Sequence, residues 1–145
     1  MSYLVKDYMT KEINTIDRNT TITEVANVMA ADENAEGYVI VLEKGKPVGI
    51  VTERDIVNKI VAQNMDPTKT NVLDIMSTPL ITIDPDENLL KTSQLMQKNN
   101  VRKVVVIKNG IIYGIITAKD ISLRFESYVD RAVREIIRWT SLLGG

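Results

Sequence analysis

The sequence predicts an α+β fold of the α/β type: two copies of one strand–helix–strand–strand–helix unit. The copies are expected to pack through their sheets about a pseudo-twofold axis, with a further helix after them. Three observations predict this. The stretch "GIVTERDI" at residues 49–56 returns as "GIITAKDI" at 114–121, a spacing of 65. Upstream, "VKDYMTKEINTIDRNTTITEVANVM" (5–29) lies over "VLDIMSTPLITIDPDENLLKTSQLM" (72–96) at a spacing of 67. Each copy also carries two β-branched runs joined by a turn, "YVIVLE"/"PVGIVT" and "KVVVIK"/"IIYGIIT". A fixed period of this size is the mark of a duplicated structural unit.

Taken in order, "INTI" and "LITI" read as short opening strands, and "TITEVANVMAAD" and "DPDENLLKTSQLMQKNN" as the helices that follow. In the second helix Leu89, Leu90, Ser93, Leu95 and Met96 form the expected inward stripe. The hairpin turns are placed at Lys44-Gly45-Lys46 and Asn109-Gly110, the latter a strong tight-turn signal. Pro47 suits the start of a strand, where no amide donor is required. The change of spacing from 67 to 65 assigns two extra residues to the first copy within "AADENAEG", as expected of a loop. The boundaries are thus 1–63 for the first repeat, 64–71 for a linker containing Asp66-Pro67, 72–125 for the second repeat, and 126–145 for an amphipathic helix. A unit of about 60 residues buries too little surface to be secure alone, so the two should share a core.

Composition narrows the chemistry. The 145 residues are 44% apolar and 26% charged with net charge −1, so no global basic field exists to hold nucleic acid. The chain has neither Cys nor His, which removes disulfides, thiol nucleophiles, the usual metal ligands and the usual general base. No apolar run reaches the roughly 18 residues that span a bilayer. The first ten residues lack the apolar core of a secretory signal. A cytoplasmic protein with no membrane or nucleic-acid partner, no required cofactor and no catalytic centre is expected.

The repeated signature supports two readings. In the first, Thr52 and Asp55, like Thr117 and Asp120, form a capping box in which the hydroxyl caps a helix and the carboxylate reaches back to a backbone amide. In the second, the helix start and threonine hydroxyl hold a phosphate while the carboxylate, one turn on, accepts from a ribose diol. Arg54 and Lys119 precede the aspartates and add positive charge. Gly49 and Gly114, late in their strands, leave room for a neighbouring backbone or a ligand.

With "DYMT" and "DIMS" opening the copies and the signatures closing them, the chain resembles the tandem cystathionine-β-synthase (CBS) domain pair, or Bateman module, over roughly residues 3–125. The resemblance implies two related clefts that bind adenosine-containing ligands: AMP, ADP, ATP or S-adenosylmethionine. Binding would regulate a partner protein whose identity is not given, or a homodimer. It also implies crosswise clefts. One would combine Thr117, Lys119 and Asp120 with Thr10, Asn14, Thr15 and the segment Ala35, Gly37 and Tyr38. The other would combine Thr52, Arg54 and Asp55 with Ser77, Ile81, Thr82 and Asn100, Val101, Arg102 and Lys103. The middle-strand Pro-Val common in that family is Val39-Ile40 and Val104-Val105 here. On this arrangement a phosphate-rich ligand should prefer the cleft of Arg102, Arg54 and Asp55, since the other approach carries Glu36 and Gly37. A ligand-free dimerisation scaffold is the alternative function.

The tail "SYVDRAVREIIRWTSLL" has Tyr128, Val129, Ala132, Val133, Ile136 and Ile137 at helical spacing. It is expected to pack on its own module or on a second copy. Arg131, Arg134 and Arg138 with Trp139 give a membrane surface as the lesser alternative.

Overall fold

A computed structural model describes residues 3–33 and 37–142, the side chains of 124–129 and 140–142 excepted. The first repeat runs through a 3-10 turn (Val5–Asp7), β1 (Thr15–Asp17), α1 (Ile22–Ala31), β2 (Tyr38–Glu43), β3 (Lys46–Thr52) and α2 (Glu53–Ile56), which continues as a π-helical turn over Val57–Val61. The second repeats this with a 3-10 turn (Val72–Asp74), β4 (Thr82–Ile83), α3 (Leu89–Asn99), β5 (Lys103–Lys108), β6 (Ile111–Thr117) and α4 (Ala118–Leu142). Each repeat holds one three-stranded sheet, ordered β1-β2-β3 or β4-β5-β6. In both, the middle strand runs parallel to the first and antiparallel to the third.

Local chemistry accounts for the boundaries. Thr21 and Glu24 close a capping box at the start of α1, and Asn88 caps α3. Asn100 ends α3 in the left-handed region at φ 52°, a conformation that asparagine tolerates. The turn pairs Lys44-Gly45 and Asn109-Gly110 all have positive φ, which matches the twist of a two-residue hairpin.

The packing units differ from the sequence repeats at one place: the opening segments are exchanged. Residues 3–10 dock on the second repeat, where Val5 N–H donates to Glu87 O (2.8 Å) and Leu4 bridges Asn88. The same pattern in the other direction has Val72 N–H donating to Thr20 O (2.9 Å) and Asn71 bridging Thr21. Val5 is thereby buried with Ile83, Met96, Val104, Val106 and Ile116, while Val72 and Ile75 are buried with Ile16, Ile22, Val25, Val39 and Val51. Each exchanged valine contributes roughly 1.5–3 kcal/mol of burial to a core that is not its own repeat's. Lys6 adds an exposed tie to Asp86 (3.0 Å), which Lys108 approaches at 2.8 Å from the other side. A third cluster, Tyr38, Ile40, Val105 and Ile115, fills the space between the two sheets.

Two sequence expectations change. Leu90 is 68% exposed, and the inward face of α3 is carried by Leu89, Thr92 and Met96. The helix starts at Leu89, so a 3.6-residue period from there passes through 92 and 96 and leaves 90 outside. The tail is not a separate element but the continuation of α4, one helix of 25 residues with no Gly or Pro to break it. Val133, Ile136, Ile137 and Trp139 are each about half exposed or more, so the tail does not bury them against its own module. Tyr128 and Val129 lie among the undescribed side chains.

Candidate functional site

Both signatures form the capping box. Asp55 Oδ2 accepts from the Thr52 N–H (3.0 Å) and hydroxyl (3.2 Å), and Thr52 Oγ1 accepts from the Asp55 N–H (3.3 Å). In the second repeat Asp120 Oδ2 accepts from Thr117 N–H (2.9 Å) and Thr117 Oγ1 from Asp120 N–H (3.1 Å). The cap uses one carboxylate oxygen and leaves the other outside it. Asp55 Oδ1 faces Lys59 Nζ at 3.3 Å and the Ser77 hydroxyl at 3.5 Å. Asp120 Oδ1 takes no hydrogen bond among the described residues.

The exchange of openings lays a segment of the other repeat beside each signature. Ser77 N–H donates to Ile50 O (2.8 Å) and Ile50 N–H to Ser77 O (3.2 Å), so the second repeat's opening lies along β3, two residues before Thr52. Thr10 and Ile115 exchange the equivalent pair at 2.8 and 3.0 Å, two residues before Thr117. The glycines permit this approach. A Cβ on Gly114 would stand 2.4 Å from Thr10 O, and one on Gly49 2.5 Å from Met76 Sδ and 3.1 Å from Ser77 O. Asn14 and Ile81 then carry the openings onward, accepting through their carbonyls from Ile40 N–H (2.8 Å) and Val105 N–H (3.1 Å).

The approach segments correct the crosswise assignment. Gly37 O accepts from Glu53 N–H (3.0 Å), and Tyr38 lies opposite Thr52. Likewise Arg102 O accepts from Ala118 N–H (2.8 Å), and Lys103 lies opposite Thr117. Each approach is therefore held to the signature of its own hairpin, because β2 and β5 are the partners of β3 and β6; only the openings cross. Arg102 and Lys103 belong by backbone with Thr117 and Asp120, not with Asp55. The amides at the helix starts are also largely spent: Glu53 and Ala118 donate to the approach segments, and Asp55 and Asp120 to the threonines. An anion there would be held mainly by side chains, with the Arg54 and Lys119 amides as the remaining first-turn donors.

Other expected residues fall as follows. Ser77, Thr15, Thr82, Arg54, Arg102 and Lys119 are exposed, and Thr10 is half-buried. Tyr38 is 1% exposed, its ring within the inter-sheet cluster rather than in an open cleft. Asn14 donates its side-chain amide to Asp32 Oδ2 (2.8 Å), which takes that side chain away from the signature. Val101 and Ile81 pack against the second core, and Asn100 is the α3 cap. Ala35 and Glu36 lie outside the described residues. Lys59 was not singled out in the sequence. It bridges Asp55 Oδ1 and the Ile75 carbonyl (2.8 Å), and its signal is the i, i+4 spacing from Asp55. Among the described residues no group of three metal-ligating side chains occurs, and no helix is long and apolar enough to cross a membrane.

The family model described as "CBS domain" matches twice, at residues 5–62 and 72–126. A CBS domain-containing protein of Bacillus subtilis, YhcV, is 34% identical over 119 residues, covering 82% of this chain and 83% of that protein. The CBS domain pair of protein MJ0100, solved with 5′-methylthioadenosine and S-adenosyl-L-methionine, aligns with a TM-score of 0.79 at 32% identity, covering 88% of this chain and 99% of that one. A CBS domain protein of Pyrobaculum aerophilum, PAE2072, solved with AMP, aligns at 0.72 with 28% identity, covering 81% and 88%.

Proposed function

We propose, because this chain belongs to the CBS domain family, that it is a regulatory module that binds adenosine-containing ligands in its two clefts. The observation that carries this reading is the division of labour within each signature carboxylate. Oδ2 is held by the helix cap, and Oδ1 of Asp55 is turned toward the opening segment that crosses from the other repeat. A carboxylate oxygen fixed in this way is prepared to accept from ribose hydroxyls without first being ordered, which lowers the cost of binding. Thr52 and Thr117 stand next to it for the 5′ substituent. Arg102, Lys103 and Lys119 make the Thr117–Asp120 cleft the one suited to phosphate. Thr10, Asn14, Thr15, Asn100 and Val101 beside Thr117–Asp120, and Ser77, Ile81, Thr82 and Gly37 beside Thr52–Asp55, would enclose the base and sugar mainly through backbone.

The two ligand-bound neighbours support adenosine as the shared ligand element, one with AMP and one with a thioether and a sulfonium derivative. A ligand that draws one opening segment closer to its signature would bind one arrangement of the repeats better and shift the pair toward it. The exchanged openings tie the repeats 1–63 and 72–125 together, with the linker 64–71 held at the start of α1, where Pro67 and Thr70 carbonyls accept from Thr23 and Ile22 N–H. The outward apolar residues of α4 are the surface we assign to a homodimer, through which the change would reach a regulated protein. The module needs no cofactor and performs no catalysis. A second reading, a ligand-free structural pair, draws on the completed caps.

A thermal-shift panel of AMP, ADP, ATP, S-adenosylmethionine and 5′-methylthioadenosine separates the two. At a hundred times its dissociation constant a ligand adds about 2.7 kcal/mol, or roughly 5–10 °C for a chain of this size. Asp55→Ala and Asp120→Ala should each remove the response of one cleft. No shift with any compound at millimolar concentration would establish the scaffold instead.

A further inference from the structure

The two signatures match residue for residue at their Thr, basic and Asp positions, but the neighbouring positions 37, 38 and 53 differ from 102, 103 and 118, and there the charge is reversed. At the spacing of 65, Thr52 matches Thr117, Arg54 matches Lys119, Asp55 matches Asp120 and Lys59 matches Arg124. Gly37 matches Arg102 and Glu53 matches Ala118. These last four are structural counterparts too, since Glu53 N–H donates to Gly37 O as Ala118 N–H donates to Arg102 O. The side chains trade places. A Cβ on Gly37 would meet Glu53 Cδ at 2.8 Å and Oε1 at 3.0 Å. The glutamate carboxylate thus lies in the space from which, in the other repeat, the arginine side chain begins. Gly37 keeps φ at 64°, which discourages any side chain that would compete for that space. Next to these pairs, the neutral, buried Tyr38 matches the half-buried Lys103.

We infer that Glu53, seated on Gly37, makes the Thr52–Asp55 cleft selective for an adenosine derivative with a neutral or cationic 5′ substituent, such as a thioether or sulfonium. The Thr117–Asp120 cleft takes the anionic, phosphorylated one. This rests on the adenosine-binding reading above and adds the division between the clefts. Arg54 and Lys119 match in charge, so the difference argued here is one carboxylate against one guanidinium and one ammonium. Glu53 stands beside the threonine that flanks the 5′ position, where a phosphate dianion would meet it. The chain can then report two adenosine ligands of opposite charge at once.

The test uses the full chain carrying Asp120→Ala, which leaves the Thr52–Asp55 cleft, titrated calorimetrically with AMP, 5′-methylthioadenosine and S-adenosylmethionine. The two sulfur compounds should bind at least tenfold tighter than AMP. Adding Glu53→Gln should tighten AMP about three- to tenfold, weaken S-adenosylmethionine, and leave 5′-methylthioadenosine unchanged, at 0.1 M salt where exposed charges interact weakly but measurably. Glu53→Lys should move AMP further in the same direction and guards against loss of folding in either variant. Equal affinity for all three compounds, or AMP affinity unmoved by both Glu53 substitutions, overturns this inference and leaves the adenosine reading intact. So does an Asp120→Ala chain that binds nothing while the unsubstituted chain binds. No binding of any of the three by the unsubstituted chain overturns both.

Discussion

Gly114→Ala tests the exchanged architecture on which both clefts depend. The new Cβ would stand 2.4 Å from the Thr10 carbonyl oxygen and 3.2 Å from its carbon. Non-bonded heavy atoms separate to about 3.5 Å, so the opening segment must retreat by about 1 Å. The same oxygen accepts from Ile115 N–H at 3.0 Å, and Thr10 N–H donates to Ile115 O at 2.8 Å; a retreat of that size breaks both bonds. Two backbone hydrogen bonds at about 1 kcal/mol each, with overpacking strain of about 1–3 kcal/mol, set the gross cost. The stiffer unfolded chain returns about 0.4–1 kcal/mol. A net loss of about 2–5 kcal/mol follows. Gly49→Ala is the internal control, because its nearest obstacles are Met76 Sδ and Cγ, which can swing aside, and Ser77 O at 3.1 Å needs only a small adjustment. It should cost within about 1 kcal/mol. Urea unfolding followed by circular dichroism reads both as shifts in midpoint at constant slope. A Gly114→Ala protein within about 0.5 kcal/mol of the parent, or a Gly49→Ala protein that loses as much, would refute the exchange as drawn.

Asp120→Ala should separate cap from grip: loss of the capping box costs about 0.3–1.5 kcal/mol of stability, whereas loss of two charge-assisted bonds to a ribose lowers affinity a hundredfold or more. Stability and affinity falling in equal small measure would assign Asp120 to the cap alone. Asp86 has its carboxyl held below the ordinary 3.8 by hydrogen bonds from Lys108 and then Lys6. Its contribution is therefore complete above the unfolded value and is lost as pH falls through the lower folded one. Carbon-detected NMR titration should place the Asp86 midpoint below 3.8, and Lys108→Met should raise it; a midpoint at or above 3.8 contradicts the tie. The homodimer proposed through α4 predicts that the unsubstituted chain sediments as a dimer and that Val133→Asp with Ile136→Asp sediments as a monomer; the same species for both would remove α4 as the contact.

Much of the fold was legible because its signals are periodic and doubled. The turns at Gly45 and Gly110, the β-branched runs and the two signatures fall where the sequence puts them. The stripe on α3 was misread at Leu90 because a helical face can be counted only from a known first residue. The exchange of openings was not legible from patterning. Val5 and Val72 read as core residues wherever they pack, and a buried valine carries no mark of whose core it enters. Gly49 and Gly114 held the clue, since a glycine late in a strand marks a close backbone approach, but the approaching segment cannot be named from the glycine. The signature was ambiguous for a related reason: a cap and a ribose grip need the same Thr-x-x-Asp spacing, and the carboxylate has an oxygen for each. Arg102 was set across the pair when strand pairing keeps it with Ala118, and Lys59, four residues after Asp55, was not singled out.

A structure determined from crystals grown with AMP and 5′-methylthioadenosine together tests the central claim most directly. Both ribose diols should lie within hydrogen-bond distance of Oδ1 of Asp55 and Asp120, with each Oδ2 still on its threonine amide. Aspartates whose outer oxygens contact only Lys59, Ser77 or water, with the nucleosides absent or bound elsewhere, would contradict it.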